Sequence, residues 1–154
     1  MTQVTVTITG TEALRRKLRR AMHLEDIAKD DIAKLAEYTR SVAYSLAPKD
    51  RGEGAGNITV QVHGLSAEVI SPDRHMYVME FGRTPGARQP STNVLAGWGS
   101  RHGFAQRDLF VLARSIGQRG IRAHRFMKRA AEAAQAKLGA TVKDIAIKVE
   151  RLWV

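Results

Sequence analysis

The sequence predicts an α+β fold: a small, mainly antiparallel sheet packed by a long N-terminal and a long C-terminal helix, with a long loop. Three patterns predict it. Gln3 to Thr9 alternates β-branched and polar residues with period two, the signature of a half-buried strand. Two long stripes of apolar residues at spacings of three, four and seven lie near the two ends of the chain, and each is one face of a helix. Between them, short alternating runs are separated by glycine and proline, as in hairpins. At 154 residues the chain is the size of a single domain able to bury its own core, and residues 1–154 are read as one.

The first helix follows Gly10, with Thr11 as N-cap and Glu12 in its first turn. Its stripe runs through Leu14, Leu18, Ala21, Ala28, Ile32, Leu35, Val42 and Leu46, interrupted at Glu25 and Thr39, with a bend expected near Leu24–Asp26. Ala47-Pro48 ends it, because proline lacks the next backbone donor and disfavours helix in the residue before it. Lys49 to Gly56 reads as a mobile, charged, glycine-rich loop, without the Lys-Ser/Thr of a phosphate-binding loop. Ile58–Val62 and Ala67–Ile70 alternate around His63-Gly64 and predict a hairpin, with a further strand over His75–Phe81. Gly82–Gln106 shows no sustained period and predicts a loop ordered by a partner. A helical face over Asp108–Gln118 follows. One last helix is expected from about Phe126 to Leu152, running through Gly139 at a cost of roughly 1 kcal/mol.

The 25 basic and 15 acidic residues give a net charge of +10, and its distribution is uneven. Residues 1–24 are net +4, residues 25–82 net −4, and residues 83–129 hold ten basic residues against Asp108 alone. A field localised in this way attracts a polyanion or an acidic partner surface. There is no cysteine, which excludes disulfides and thiol nucleophiles and suits a reducing compartment. No run of 18 apolar residues is present and the N-terminus lacks a signal-peptide pattern, so the expectation is a protein made in the cytoplasm, with no membrane partner.

No catalytic constellation stands out. The histidines, at 23, 63, 75, 102 and 124, form no HxxxH or HExxH pair, and no G-x-S-x-G elbow exists. The expectation is no enzyme, no cofactor and no metal. Glu80, set among apolar residues, reads as a structural ion-pair member within the fold or across a subunit boundary, with Arg83 as a possible partner in a neighbouring copy. Arg83 to Arg129 could contact phosphates, yet no helix-turn-helix, zinc finger or RNP signature accompanies the charge. Contact with DNA without sequence specificity, or with an acidic partner, fits better. Arg15, Arg16, Arg19 and Arg20 on the first helix, with Arg119 and Arg122, are the candidates, a solubilising face being the other reading of the first four.

Two motifs in order, Tyr77-Val78-Met79-Glu80-Phe81-Gly82-Arg83-Thr84 and Ile121-Arg122-Ala123-His124-Arg125-Phe126-Met127-Lys128-Arg129-Ala130, follow a first helix ending at Pro48 and a glycine loop. Over roughly residues 10–140 this order resembles the head–tail joining, or tail-completion, proteins of long-tailed double-stranded DNA bacteriophages. The chain departs from that family's pattern at Arg51, Arg83 and Arg125 and in a longer loop over Pro85–Gln106. The resemblance implies a non-catalytic virion protein of the neck, made in the host bacterial cytoplasm. It implies a ring, commonly a hexamer, between the capsid connector or adaptor and the tail tube or tail terminator, with packaged DNA as a further contact. Glu80, Phe81, Arg83, Trp98, Arg101 and Phe126 are the expected subunit or partner interface. The alternative is a general basic nucleic-acid-binding protein without enzymatic activity.

Overall fold

The computed structural model describes residues 3–8 and 24–151 of the chain. Its architecture is the expected α+β one, a three-stranded antiparallel sheet against two long helices. Strand β1 is Val4–Ile8, helix α1 Leu24–Leu46, α2 the single turn Glu53–Gly56, and β2 and β3 are Thr59–His63 and Ser66–Ser71. Helices α3 (Arg74–Phe81), α4 (Thr92–Arg101), α5 (Gln106–Arg119) and α6 (Phe126–Glu150) complete the order. The Thr11 N-cap, the stripe residues Leu14 to Ala21, and Arg15, Arg16, Arg19 and Arg20 lie outside the described residues, as does Leu152.

Strand β3 is central, flanked by β1 and β2. Val69 is opposite both Val6 and Val60, and Ala67 opposite both Ile8 and Val62. Strand β2 therefore alternates, with Thr59, Gln61 and His63 exposed and Val60 and Val62 turned towards the core. Val4, Ala67 and Val69 are buried with them.

Helices α1 and α6 close this face and pack along each other. The stripe of α1 buries Ala28, Ile32, Leu35, Ala36 and Ala43, and that of α6 buries Phe126, Met127, Ala130, Ala134 and Ile145. Small residues at Ala28, Ala36, Ala43, Ala130 and Ala134 allow close helix approach where few aromatics are available to fill space. Thr39, which breaks the apolar stripe, is fully buried because its Oγ1 donates to the Leu35 carbonyl at 2.7 Å; a back-bonded hydroxyl carries no unmet polar group into the core. Asp31 is also buried, accepting both bonds of the Lys148 ammonium at 2.6 Å and so tying α1 to the last turns of α6. As expected, Gly139 does not interrupt α6.

Three local expectations are corrected. His75–Phe81 is not a fourth strand but most of α3. Asp73, extended at φ −78° and ψ 124°, starts it, and its carbonyl accepts the Tyr77 N–H at 3.0 Å. Burial of Met76 and Glu80, four apart, marks the inward face of a helix. Gly82–Gln106 is not a structureless loop, since it contains α4. The glycine-rich segment after Pro48 includes the turn α2, with Ala55 buried in the core.

Candidate interaction surface

Helices α3 and α6 meet at Glu80. Its side chain is 4% exposed, and its carboxylate accepts the backbone N–H groups of Met127 at 2.8 Å and Lys128 at 3.0 Å. The first turn of a helix has N–H groups without intrahelical acceptors, and the helix dipole favours an anion there. Arg125, at the N-cap position, cannot supply one, and its backbone is left-handed at φ 56° and ψ 39°. Glu80 thus acts as a cap delivered from another helix. The surrounding backbone reinforces the joint: His124 N–H donates to the Met79 carbonyl at 2.7 Å and Arg125 N–H to the Glu80 carbonyl at 3.3 Å. Within the chain, among the described residues, this arrangement stands in place of an ion pair of Glu80. Arg83 of the same chain donates to the carbonyl of Arg88.

Immediately after α3 the chain crosses the segment leading into α6. Arg83 and Ile121 exchange backbone hydrogen bonds at 2.8 and 2.9 Å as an isolated antiparallel bridge, and Gly86 N–H donates to Gly117 O at 2.8 Å. Gly82 (φ 76°, ψ −166°) and Gly120 (φ 74°, ψ −164°) flank the bridge in backbone conformations open only to glycine. A Cβ on Gly82 would lie 2.5 Å from the Ile121 carbonyl oxygen, and one on Gly120 would meet that of Arg83 closer still. Both residues are required by close backbone approach as well as by φ.

Between the two sides of this clamp an irregular stretch over residues 84–91 leads into a helical hairpin. Helices α4 and α5 pack mainly on each other, with Leu109, Ala113 and Gly117 buried on α5. Gly99 of α4 admits Leu109, whose Cδ2 occupies the space a Cβ there would need. Trp98 stacks on His102 with centroids 4.2 Å apart and lies 5.4 Å from the Phe104 ring. Asp108 reaches back to accept the Ala105 N–H at 3.2 Å at the start of α5. One side-chain latch ties the hairpin to the body: the Arg101 guanidinium donates through Nε and Nη2 to the Asp50 carboxylate, with Nε 3.0 Å from Oδ2. The hydrogen-bonded Arg101 guanidinium holds the Asp50 carboxyl below its ordinary range, and the Asp50 carboxylate in turn raises Arg101 above its own.

The residues expected at an interface therefore separate. Glu80 and Phe126 are buried inside the chain, Trp98 is half-buried within the hairpin and Arg101 is engaged with Asp50. Phe81 is 58% exposed at the end of α3, leaning on Tyr77 at 4.7 Å. Arg119 and Arg122 are exposed beside the clamp.

Sequence reasoning missed an open apolar pair. Phe110 and Val111 on α5 are 56% and 66% exposed, and Arg107 and Arg114 stand with them on a face turned away from the buried Leu109. The signal was the run Leu109-Phe110-Val111-Leu112, four consecutive apolar residues that a helix cannot direct to one side.

A half-open cavity of about 370 Å³ lies beside the latch, lined by Asp50, Glu53, Asp73, His75, Trp98 and Arg101 among others. Its polar groups are partly satisfied internally: Asp50 by Arg101, and Asp73 by Asn57 Nδ2 at 3.2 Å. No nucleophile and base are paired there. Among the described residues no group of histidine, aspartate and glutamate is arranged to hold a metal ion, and no helix is long and apolar enough to cross a membrane. No protein-family model, curated protein or solved structure matches this chain.

Proposed function

We propose that this chain is a structural, ring-forming neck or tail-completion protein of a tailed phage or phage-like particle, joining the tail to the capsid connector. The observation that carries the reading is the α4–α5 hairpin, an ordered projection held by a backbone clamp and showing an apolar, basic face to solvent. A contiguous apolar patch rimmed by charged groups is the character of a partner-binding surface. The order of elements supports the same reading, since the two sequence motifs resembling the family meet at one point, where Glu80 caps α6. On this reading Phe81 and the hairpin face neighbouring subunits or rings. Arg119 and Arg122 face acidic protein or packaged DNA, and the particle neck is the site of action.

The test is deletion of the coding sequence from the producing element, followed by electron microscopy of the particles. Filled heads separated from free tails are the expected product. Intact tailed particles in normal yield would refute the proposal.

A basic nucleic-acid-binding role is the second reading, favoured by the exposed cluster of Arg119, Arg122, Arg125, Lys128 and Arg129 around the start of α6. It requires the isolated chain to bind duplex DNA with an affinity falling steeply between about 50 and 200 mM salt. The neck reading requires no such binding by the free subunit.

A further inference from the structure

We infer that the exposed face of α5 docks on a second copy of this chain, against the outward acidic face of α1. The inference rests on the ring-forming reading and names the surfaces that would build the ring.

The donor surface is Arg107, Phe110, Val111 and Arg114, at i, i+3, i+4 and i+7. At about 100° per residue these four fall within roughly 100° of one another on the helix. Each is exposed, while Leu109 and Ala113 turn inward and Gly117, at the edge of this face next to Phe110, is covered by Gln89. A pair of apolar side chains flanked by two guanidinium groups matches the composition of an interface centre, where aromatic residues and arginine are enriched. The guanidinium groups also specify the sign of what must cover it.

The complementary surface is on the same chain. Asp26, Asp30, Glu37 and Tyr44 lie within about 40° of one another on α1, at spacings of four, seven and seven, and all are exposed. Their common direction is opposite the buried stripe of Ala28, Ile32, Leu35, Ala36, Thr39 and Ala43. Tyr44, 42% exposed with the Lys49 ammonium 4.3 Å over its ring, ends the row, and Glu37 pairs with Arg40 at 2.7 Å, so Asp26 and Asp30 are the carboxylates offered to the arginines. A copy that buries its α5 face on the α1 face of a neighbour pairs two arginines with carboxylates and covers Phe110 and Val111.

This contact joins two different surfaces, so each copy retains one free donor and one free acceptor face. Such heterologous contacts propagate, closing into a ring where the rotation permits and running on as a filament where it does not. The α4–α5 hairpin suits the task because its clamp fixes the direction of α5 while its own packing leaves the outer face open.

Sedimentation velocity across a concentration series, with native mass spectrometry, tests the contact on the full chain. The expected result is oligomeric wild-type protein, with Phe110→Glu and Val111→Glu weakening self-association by about tenfold or more at unchanged thermal midpoint, because both side chains are already exposed. Arg107→Glu/Arg114→Glu should dissociate the oligomer, and adding Asp26→Arg/Asp30→Arg to the same chain should restore it. Restoration by reversed charges is a readout that misfolding would not give. If wild-type and all α5 variants form the same oligomer, this surface assignment falls and the ring reading stands. If the wild-type chain stays monomeric throughout the series, or binds duplex DNA through Arg107 and Arg114 without self-associating, the inference is overturned. Particle microscopy then judges the neck reading separately.

Discussion

Replacing Glu80 with glutamine changes one atom of a carboxylate and tests whether this residue organises the fold or serves a partner. The two carboxylate oxygens each accept a different backbone N–H, Oε2 from Met127 and Oε1 from Lys128. An amide has one acceptor oxygen, so Glu80→Gln keeps one bond and turns its NH₂ towards a donor. The change removes a charge-assisted hydrogen bond, worth about 1.5–3 kcal/mol, and leaves an N–H unmet where water has little access. It also removes the anion from the positive end of α6, about 0.3–1 kcal/mol more. We expect a loss of about 2–3 kcal/mol, and about 3–4 kcal/mol for Glu80→Ala, which forfeits both bonds and opens space beside Phe126. For a chain of 154 residues the glutamine variant should melt about 5–10 °C lower. In urea the midpoint should fall with the slope unchanged. A glutamine variant within about 0.5 kcal/mol of wild type would refute the capping argument. Weakened self-association at unchanged stability would place Glu80 in an interface instead.

Four further outcomes follow from the geometry. Gly120→Ala puts a Cβ against the Arg83 carbonyl in a backbone region closed to alanine, and should cost at least about 3 kcal/mol; limited proteolysis should then cut between residues 83 and 122 faster than elsewhere. Gly139→Ala should raise stability by about 0.5–1 kcal/mol in chemical unfolding, since it sits within α6 with open space where its Cβ would go. Lys148→Met leaves Asp31 without its closest cation and should cost about 1–2 kcal/mol, less than the 3–5 of a fully buried pair because the lysine is 43% exposed; in a double-mutant cycle with Asp31→Leu the losses should not add. The Asp50–Arg101 latch gives a pH dependence of known sign. The folded carboxyl titrates below its ordinary 3.8, so the latch contributes above that value and is lost as pH falls through the lower folded value. Hydrogen exchange in α4 should therefore rise below about pH 3.8 in wild type, and Asp50→Asn should remove that step.

Much of the framework was legible because it rests on periodicity and turn chemistry. Strand β1, the β2–β3 hairpin and helix α6 all repeat an apolar pattern long enough to specify their type. Helix α3 was misread because Tyr77, Met79 and Phe81 alternate with Val78 and Glu80, which a strand and a short helix can both produce. Pro72-Asp73 before it was the available start signal. The hairpin was partly hidden because Thr92–Arg101 includes Gly97 and Gly99. These glycines read as breaks locally, whereas Gly99 is there to admit Leu109 from the next helix. Glu80 was singled out correctly as an anomaly, but its partners are backbone amides 47 and 48 positions away. No side-chain pattern encodes such partners.

These misreadings share a cause that bears on function. The interrupted period over Gly82–Gln106 suggested a segment given order by a partner. The chain instead gives it order internally, through glycines that allow two backbones to cross at Arg83 and Ile121 and two helices to nest at Gly99. A projection built in this way presents its outer face without first having to fold on binding, so association need not carry that ordering entropy. The surplus of positive charge in residues 83–129 then has a defined direction, with Arg107 and Arg114 displayed on α5 and Arg119 and Arg122 beside its base. A charged coil that acted only as a nonspecific counterion for DNA would need neither the clamp nor the exposed Phe110 and Val111. The combination of a fixed helix direction, an open apolar pair and flanking arginines is what a surface needs to select one protein partner in one orientation.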